Sequence, residues 1–390
     1  MRTGRLLALL GVMMVHTAVL AEPLSGAARL GSLLFHDPSL SASGRQSCAS
    51  CHDPSNAFAA PRTAGVVMYG GPALDRPGLR TVPSLRYLDH TPRFTRHYYV
   101  SGARESEDRG PAGGFMRDGR ADNLRAQVLL PLLDPAEMAN SNVAQLARRL
   151  RATPYINELR QLYGAEKLLA DDELVDHAAE ALERYQLEDP AFHPYSSRYD
   201  QFLAGKLELS AQELRGLRLF VDPAKGNCAE CHPPASGAGG RAPAFTDFSF
   251  HALGVPRNPG IPANAVRQFF DLGLCGPRRR DLQGERNYCG FFKTPSLRNV
   301  ARRRFLFHNG RATTLAEAVR FYVERDRLPT LWYPRVVGAS LPYDDLPVDL
   351  RGNVNRSDAP FNWRAGEPPA LDAAEVEDVV AFLQTLSDTN

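Results

Sequence analysis

Two short segments constrain this chain more than anything else in its 390 residues: Cys48-Ala49-Ser50-Cys51-His52 and Cys228-Ala229-Glu230-Cys231-His232. Both read Cys-x-x-Cys-His, the attachment signature of c-type haem. Two thiols three positions apart can each add to one vinyl group of the same porphyrin, and His52 or His232 then reaches the iron from one face. With six Cys and ten His in the chain, one chance match is expected about 0.002 times, and two about a thousandfold less often. Zinc fits poorly, because the knuckles of a zinc ribbon lie about 15–20 residues apart, whereas Cys51 and Cys228 are 177 positions apart. A thioredoxin-like pair would not repeat with a His after each copy. The expectation is two covalently bound haem c groups, with Cys48, Cys51, Cys228 and Cys231 as attachment points and His52 and His232 as axial ligands.

The compartment follows from the first residues. Arg2 and Arg5 precede an apolar run from Leu6 to Val15, and Val19-Leu20-Ala21 precedes Glu22, which describes a cleaved secretory signal over residues 1–21. The run is interrupted by His16 and Thr17 and falls short of the roughly 20 apolar residues of a membrane span; an uncleaved anchor is the other reading. No later stretch is long or apolar enough to span a bilayer. Without the signal, 44 basic residues balance 44 acidic ones, so nothing global argues for nucleic acid or a membrane surface. The mature chain is expected in the periplasm. In that oxidising setting Cys275 and Cys289, separated by a Gly/Pro/Arg-rich loop, are expected to pair, a third metal site being the alternative.

The two halves echo each other. Leu30-Gly31-Ser32-Leu33-Leu34-Phe35 precedes the first motif, and Leu214-Arg215-Gly216-Leu217-Arg218-Leu219-Phe220 the second. Pro-Ser-Leu-Arg follows at 83–86 and again at 295–298, and Gly-Arg-Ala at 119–121 and 310–312. The simplest account is a mainly α protein of two cytochrome c-like haem domains, 22–190 and 191–390, with long loops and little sheet. Ser210 to Glu213, Thr314 to Glu317 and Asp372 to Glu375 read as helix starts.

The chain resembles the bacterial di-haem cytochrome c peroxidases, which include the MauG-type enzymes. The likeness runs from about Leu30 to Leu386. It is carried by Leu34-Phe35-His36-Asp37-Pro38-Ser39-Leu40-Ser41, by Asp118-Gly119-Arg120-Ala121 followed by Gln127, Pro131, Glu137 and Met138, and in the second half by Phe245-Thr246-Asp247-Phe248, Phe292 to Asn299 and His308-Asn309-Gly310. The resemblance implies an enzyme whose N-terminal haem meets hydrogen peroxide and whose C-terminal haem relays electrons. The donor would be a small cytochrome c or a cupredoxin. A MauG-like alternative would use peroxide to oxidise a Trp or Tyr on a partner protein, and a plain di-haem electron carrier is a third reading.

The resemblance also assigns roles. Glu137 matches the acid on the distal side of the peroxide-binding haem and Gln127 the amide beside it; both fall in the stretch from Arg125 to Met138, which Pro131 and Pro135 are expected to break so that the chain can turn both towards one iron. Tyr322 matches the second axial ligand of the C-terminal haem, which is Met in many peroxidases and Tyr in MauG-type enzymes; a core aromatic is the alternative. No His lies between His52 and His90, so the first iron is expected to have an open position, unless His90 or His97 reaches it. Two departures stand out. Where the family carries a Trp before Asp-Gly-Arg as an electron relay, this chain has Arg117, leaving Tyr98 or Tyr99 as relay candidates, because the only tryptophans are Trp332 and Trp363. Where the family places calcium between the haems, the Asn position is Thr81 and the carbonyl positions, Arg303 and Phe305, fall in or beside the run Arg302-Arg303-Arg304. Calcium is therefore doubtful.

Overall fold

A computed structural model describes residues 23–98, 108–237, 240–336 and 339–389; the expected signal at 1–21 and the relay candidate Tyr99 lie outside the described residues. The described chain is mainly helical. Helices α1 (Gly26–His36), α2 (Cys48–Cys51), α3 (Leu124–Leu133), α4 (Val143–Arg151), α5 (Ile156–Tyr163) and α6 (Asp171–Glu188) come first. Helices α7 (Arg198–Leu203), α8 (Ala211–Val221), α9 (Leu315–Glu324), α10 (Pro329–Trp332) and α11 (Ala373–Gln384) follow. The sheet among the described residues is three antiparallel pairs of two-residue strands: 69–70 with 76–77, 250–251 with 292–293, and 335–336 with 339–340.

Two separate apolar cores form. One gathers Leu30, Leu34, Phe35, Leu146, Leu182 and Phe192; the other gathers Tyr199, Phe220, Phe245, Val319, Phe382 and Leu386. Each is built around a tight helix crossing, α1 on α6 and α8 on α11. A Cβ on Gly31 would lie 1.9 Å from the Ala181 carbonyl oxygen, and a Cβ on Gly216 would lie 1.9 Å from that of Asp378. Only glycine lets the backbones approach this closely. The Leu-Gly and Arg-Gly steps that echo in the sequence are thus the same packing device used twice.

Helix starts follow the sequence signals with one difference. Ser210 with Glu213 and Asp372 with Glu375 form reciprocal capping boxes. Thr314 accepts from the Glu317 N–H at 3.0 Å, but the Glu317 carboxylate turns to the N–H of Thr313 at 2.8 Å instead of closing the box. Pro131 also departs from expectation: it was expected to break the stretch holding residues 127 and 137, yet α3 runs through it to Leu133. Beyond it the chain returns at once to cap the helix end. Met138 N–H donates to the Pro131 carbonyl at 3.1 Å, and Asn140 reaches the Leu132 carbonyl with its N–H at 3.1 Å and its amide at 2.9 Å.

Polar clamps join the two cores. Arg80 binds Asp118 at 2.7 Å and Asp271 at 2.6 Å, while Arg86 and Tyr87 converge on the buried Asp388 at 3.0 and 2.7 Å. Thr81 N–H donates to the His308 carbonyl at 3.0 Å, and Lys293 N–H to that of Arg117 at 2.9 Å. Breaking a buried pair of this kind typically costs about 3–5 kcal/mol, so the halves are held in register.

Candidate haem and peroxide site

The two motif histidines are set by one arrangement that occurs twice. His52 Nδ1 lies 3.1 Å from the Phe58 carbonyl, and His232 Nδ1 lies 2.8 Å from that of Phe245. A carbonyl only accepts, so Nδ1 carries the proton and Nε2 keeps its lone pair for a metal. Both phenylalanines sit at φ 52°, in the left-handed region. Beneath them the repeated Pro-Ser-Leu-Arg segments hold the turn: Ser84 donates to the Ala57 carbonyl at 2.6 Å and Ser296 to that of Ala244 at 2.7 Å. Leu85 and Leu297 N–H groups complete the contact with the Phe58 and Phe245 carbonyls at 3.2 and 3.3 Å. Burial pushes His52 down to about 4 and lowers His232 as well, which keeps both imidazoles in the neutral form that binds metal.

A cavity of about 630 Å³ opens beside the second motif, within the range of cofactor sites. Cys228, Cys231 and His232 line one side, and Leu315, Val319 and Tyr322 of α9 line another. Tyr322 also rests against Phe361, with ring centroids 5.4 Å apart. Burial raises its phenol well above the usual range, so ionisation there calls for a compensating positive centre. Arg117, Lys293 and Arg303 line the same cavity. None of the three forms an ion pair among the described residues, and Arg303 Nε has no hydrogen-bond partner. Burial lowers Lys293 to about 7, Arg117 to about 9 and Arg303 to about 10. Buried cations left in this state need an anion, and the carboxylates of a porphyrin supply them. The cavity therefore fits a haem: Cys228 and Cys231 would hold its edge, and His232 and Tyr322 would meet its iron.

Around the first motif, α2 carries Cys48 and Cys51. Burial raises both thiols to about 12, and the charge of Glu137 adds to the rise in each, so this acid lies within electrostatic reach of the motif. Glu137 follows α3, its N–H donating to the Asp134 carbonyl at 3.0 Å and its own carbonyl accepting from Gly71 at 2.8 Å. Burial, then Asp134, raises its carboxyl to about 7, opposed by Arg278 and Arg120. Gln127 is buried on α3, and its amide donates to Met116 Sδ at 3.7 Å, so its contact is with the chain before Arg117 and not with the motif. His90 and His97 are engaged elsewhere: His90 bonds Tyr195, and His97 meets Asp108 at 2.5 Å.

The remaining candidates fall as follows. Cys275 and Cys289 are joined, with Cα atoms 5.0 Å apart. Tyr98 is 40 % exposed, a poor place for a relay between buried cofactors. The three residues at the family's calcium position, Thr81, Arg303 and Phe305, do converge, around a void of about 20 Å³ that Arg304 also lines and no carboxylate does. Sequence reasoning missed Lys293 as a cavity cation, and the scarcity of lysine, four in the whole chain, was the available signal.

A chain with two histidine-bearing motifs, two cores and a haem-sized cavity belongs to the di-haem class, and comparison with known proteins agrees. Residues 25–208 match the family model for di-haem cytochrome c peroxidase. The chain is 34% identical over 383 residues to the methylamine utilization protein MauG of Paracoccus denitrificans, covering 95% of this chain and 91% of that one. It is 28% identical over 298 residues to cytochrome c551 peroxidase of Nitrosomonas europaea, covering 75% and 71%. The solved structure of the diheme peroxidase BthA from Burkholderia thailandensis superposes with a TM-score of 0.82 at 39% identity, covering 95% of this chain and 87% of that one. The protein belongs to the di-haem cytochrome c peroxidase family, and is an oxidoreductase with two haem cofactors. No described helix is long and apolar enough to cross a membrane.

Proposed function

We propose that this protein is an exported, periplasmic di-haem enzyme that reduces hydrogen peroxide to water, with peroxide met at residues 22–190 and electrons entering through residues 191–390. Cys48 and Cys51, and Cys228 and Cys231, attach one haem c each through thioether bonds; His52 and His232 are the proximal ligands. The bound haem supplies the iron that takes up peroxide and the electrons that cleave it. The observation that carries the reading is Glu137, within electrostatic reach of the first motif and in a desolvated setting that brings its carboxyl to about 7. Cleavage of the O–O bond needs one proton moved from the near oxygen to the leaving oxygen, and a group whose affinity for protons matches neutral pH does this best. The electrons come from a small cytochrome c or cupredoxin. Replacement of Glu137 by Gln tests the reading, with slow peroxide cleavage expected and an unchanged rate counting against it.

Tyr322 favours a second reading. A phenolate is a hard, anionic ligand that stabilises oxidised iron, where a thioether favours the reduced form. With Tyr322 on the second iron, the enzyme would hold oxidising equivalents on both haems and pass them to a Trp or Tyr of a partner protein, the MauG-like activity. Mixing with peroxide in the presence and absence of reduced cytochrome c separates the two: rapid turnover supports the peroxidase, a long-lived oxidised state without turnover supports partner oxidation.

A further inference from the structure

We propose that Arg117 takes the place of an inter-haem calcium ion in this protein: its guanidinium, seated on Thr81 and reaching the wall of the second haem cavity, is the cation that organises the seam, and the enzyme needs no calcium. Calcium requires about six to eight oxygen ligands that face it with lone pairs. Here the oxygens of Thr81 already face a cation. Arg117 Nη2 donates to Thr81 Oγ1 at 2.5 Å and Arg117 Nε to the Thr81 carbonyl at 3.2 Å. The same hydroxyl donates onward to the Phe307 carbonyl at 3.0 Å, so its proton is used as well. A guanidinium has donors only, and it cannot share this seat with a divalent ion.

The surroundings point the same way. The void of about 20 Å³ where Thr81, Arg303 and Phe305 meet is lined by no carboxylate, and Arg304 joins Arg303 at its wall. Arg303 and Arg80 act on Arg117 as like charges, and Asp271 is the opposing one. Asp271 and Asp118 are committed to Arg80 at 2.6 and 2.7 Å. A doubly charged ion would meet guanidinium groups here, while these two carboxylates are already engaged. Arg117 meanwhile spans the seam as a bridging ion would. Its side chain holds Thr81 of the first half, its carbonyl accepts from Lys293 N–H of the second at 2.9 Å, and it lines the cavity that holds Cys228, Cys231 and His232. Thr81 in turn ties its N–H to the His308 carbonyl. Arg117 is thus a positioning residue, acting on the haems through the chain between them.

The inference rests on the presence of two haems but not on the peroxide reaction, and its test is read without turnover. Purified holoprotein with two haems per chain, measured as the pyridine haemochrome, is treated with EDTA, desalted and analysed for metals. The expected result is less than about 0.1 calcium per chain, with electron paramagnetic resonance and absorption spectra unchanged by EDTA or by added millimolar calcium. Near one calcium per chain, or spectra that respond to the chelator, would overturn the proposal. Arg117→Gln with its haems in place is expected to show shifted low-spin signals, since the seam has lost its cation; signals identical to wild type would refute the organising role. Arg117→Lys, which keeps the charge but loses the fork, is expected to fall between the two. The wild-type measurement decides the calcium question whether or not either variant folds.

Discussion

The substitution Glu137→Gln isolates the proton-transfer role of this side chain. Gln matches Glu in shape, so packing against the Asp134 turn is retained and only titration is lost. General acid–base catalysis by a positioned group contributes about 10²–10⁴-fold, or roughly 3–5 kcal/mol of barrier. The pH dependence follows from the raised carboxyl. If the carboxylate takes the first proton from peroxide, activity grows as Glu137 ionises. With a value of about 7, about half the molecules carry the carboxylate at pH 7 and about one in a hundred at pH 5. The wild-type rate should therefore fall about 50-fold from pH 7 to pH 5, while the variant should be slow and flat across the same interval. Stopped-flow absorbance in the Soret region, after mixing ferric enzyme with a small excess of peroxide, reads both quantities. A variant rate within about threefold of wild type, or a variant that keeps the pH slope, would remove Glu137 from the chemistry.

Other outcomes follow from the same geometry. Tyr322→Phe should change the absorption and electron paramagnetic resonance signals of the second haem, and an identical spectrum would make Tyr322 a packing residue. The resting ferric enzyme should show high-spin and low-spin signals together, because His90 and His97 are tied to Tyr195 and Asp108; a wholly low-spin spectrum contradicts an open first iron. Gly216→Ala would gain up to about 1 kcal/mol from helix propensity alone, yet its Cβ would press on the Asp378 carbonyl. Net destabilisation of about 1–3 kcal/mol is expected in thermal unfolding, and a raised midpoint would refute the close crossing. Removing both Cys275 and Cys289 as serines should cost about 3 kcal/mol for a loop of this length, and an unshifted midpoint would show the bridge to be idle.

The family and the mainly helical fold were legible in the sequence because the Cys-x-x-Cys-His motifs are local: Cys48, Cys51 and His52 lie within five residues, so spacing alone singles them out. The echo of Pro-Ser-Leu-Arg was visible, but its cause was not: Ser84 and Ser296 hold the turns whose Phe58 and Phe245 carbonyls orient His52 and His232, and this depends on left-handed conformations at Phe58 and Phe245, while non-glycine residues give no local sign of positive φ. Pro131 misled because it stands only two residues before the end of α3, and the groups that cap that end, on Met138 and Asn140, lie beyond the helix itself. Arg117 lies far along the chain from Lys293 and Arg303, and the three share one cavity only in the fold, so no pattern along the sequence could group them.

The most direct test of the central claim is the stoichiometry of peroxide reduction. Ferric enzyme is mixed with one equivalent of hydrogen peroxide, reduced cytochrome c is then added, and its oxidation is followed at equilibrium and in time. The account predicts an immediate change in the Soret band on peroxide addition and two cytochromes oxidised per peroxide. A haem spectrum that peroxide leaves untouched, with no cytochrome oxidised, would contradict it.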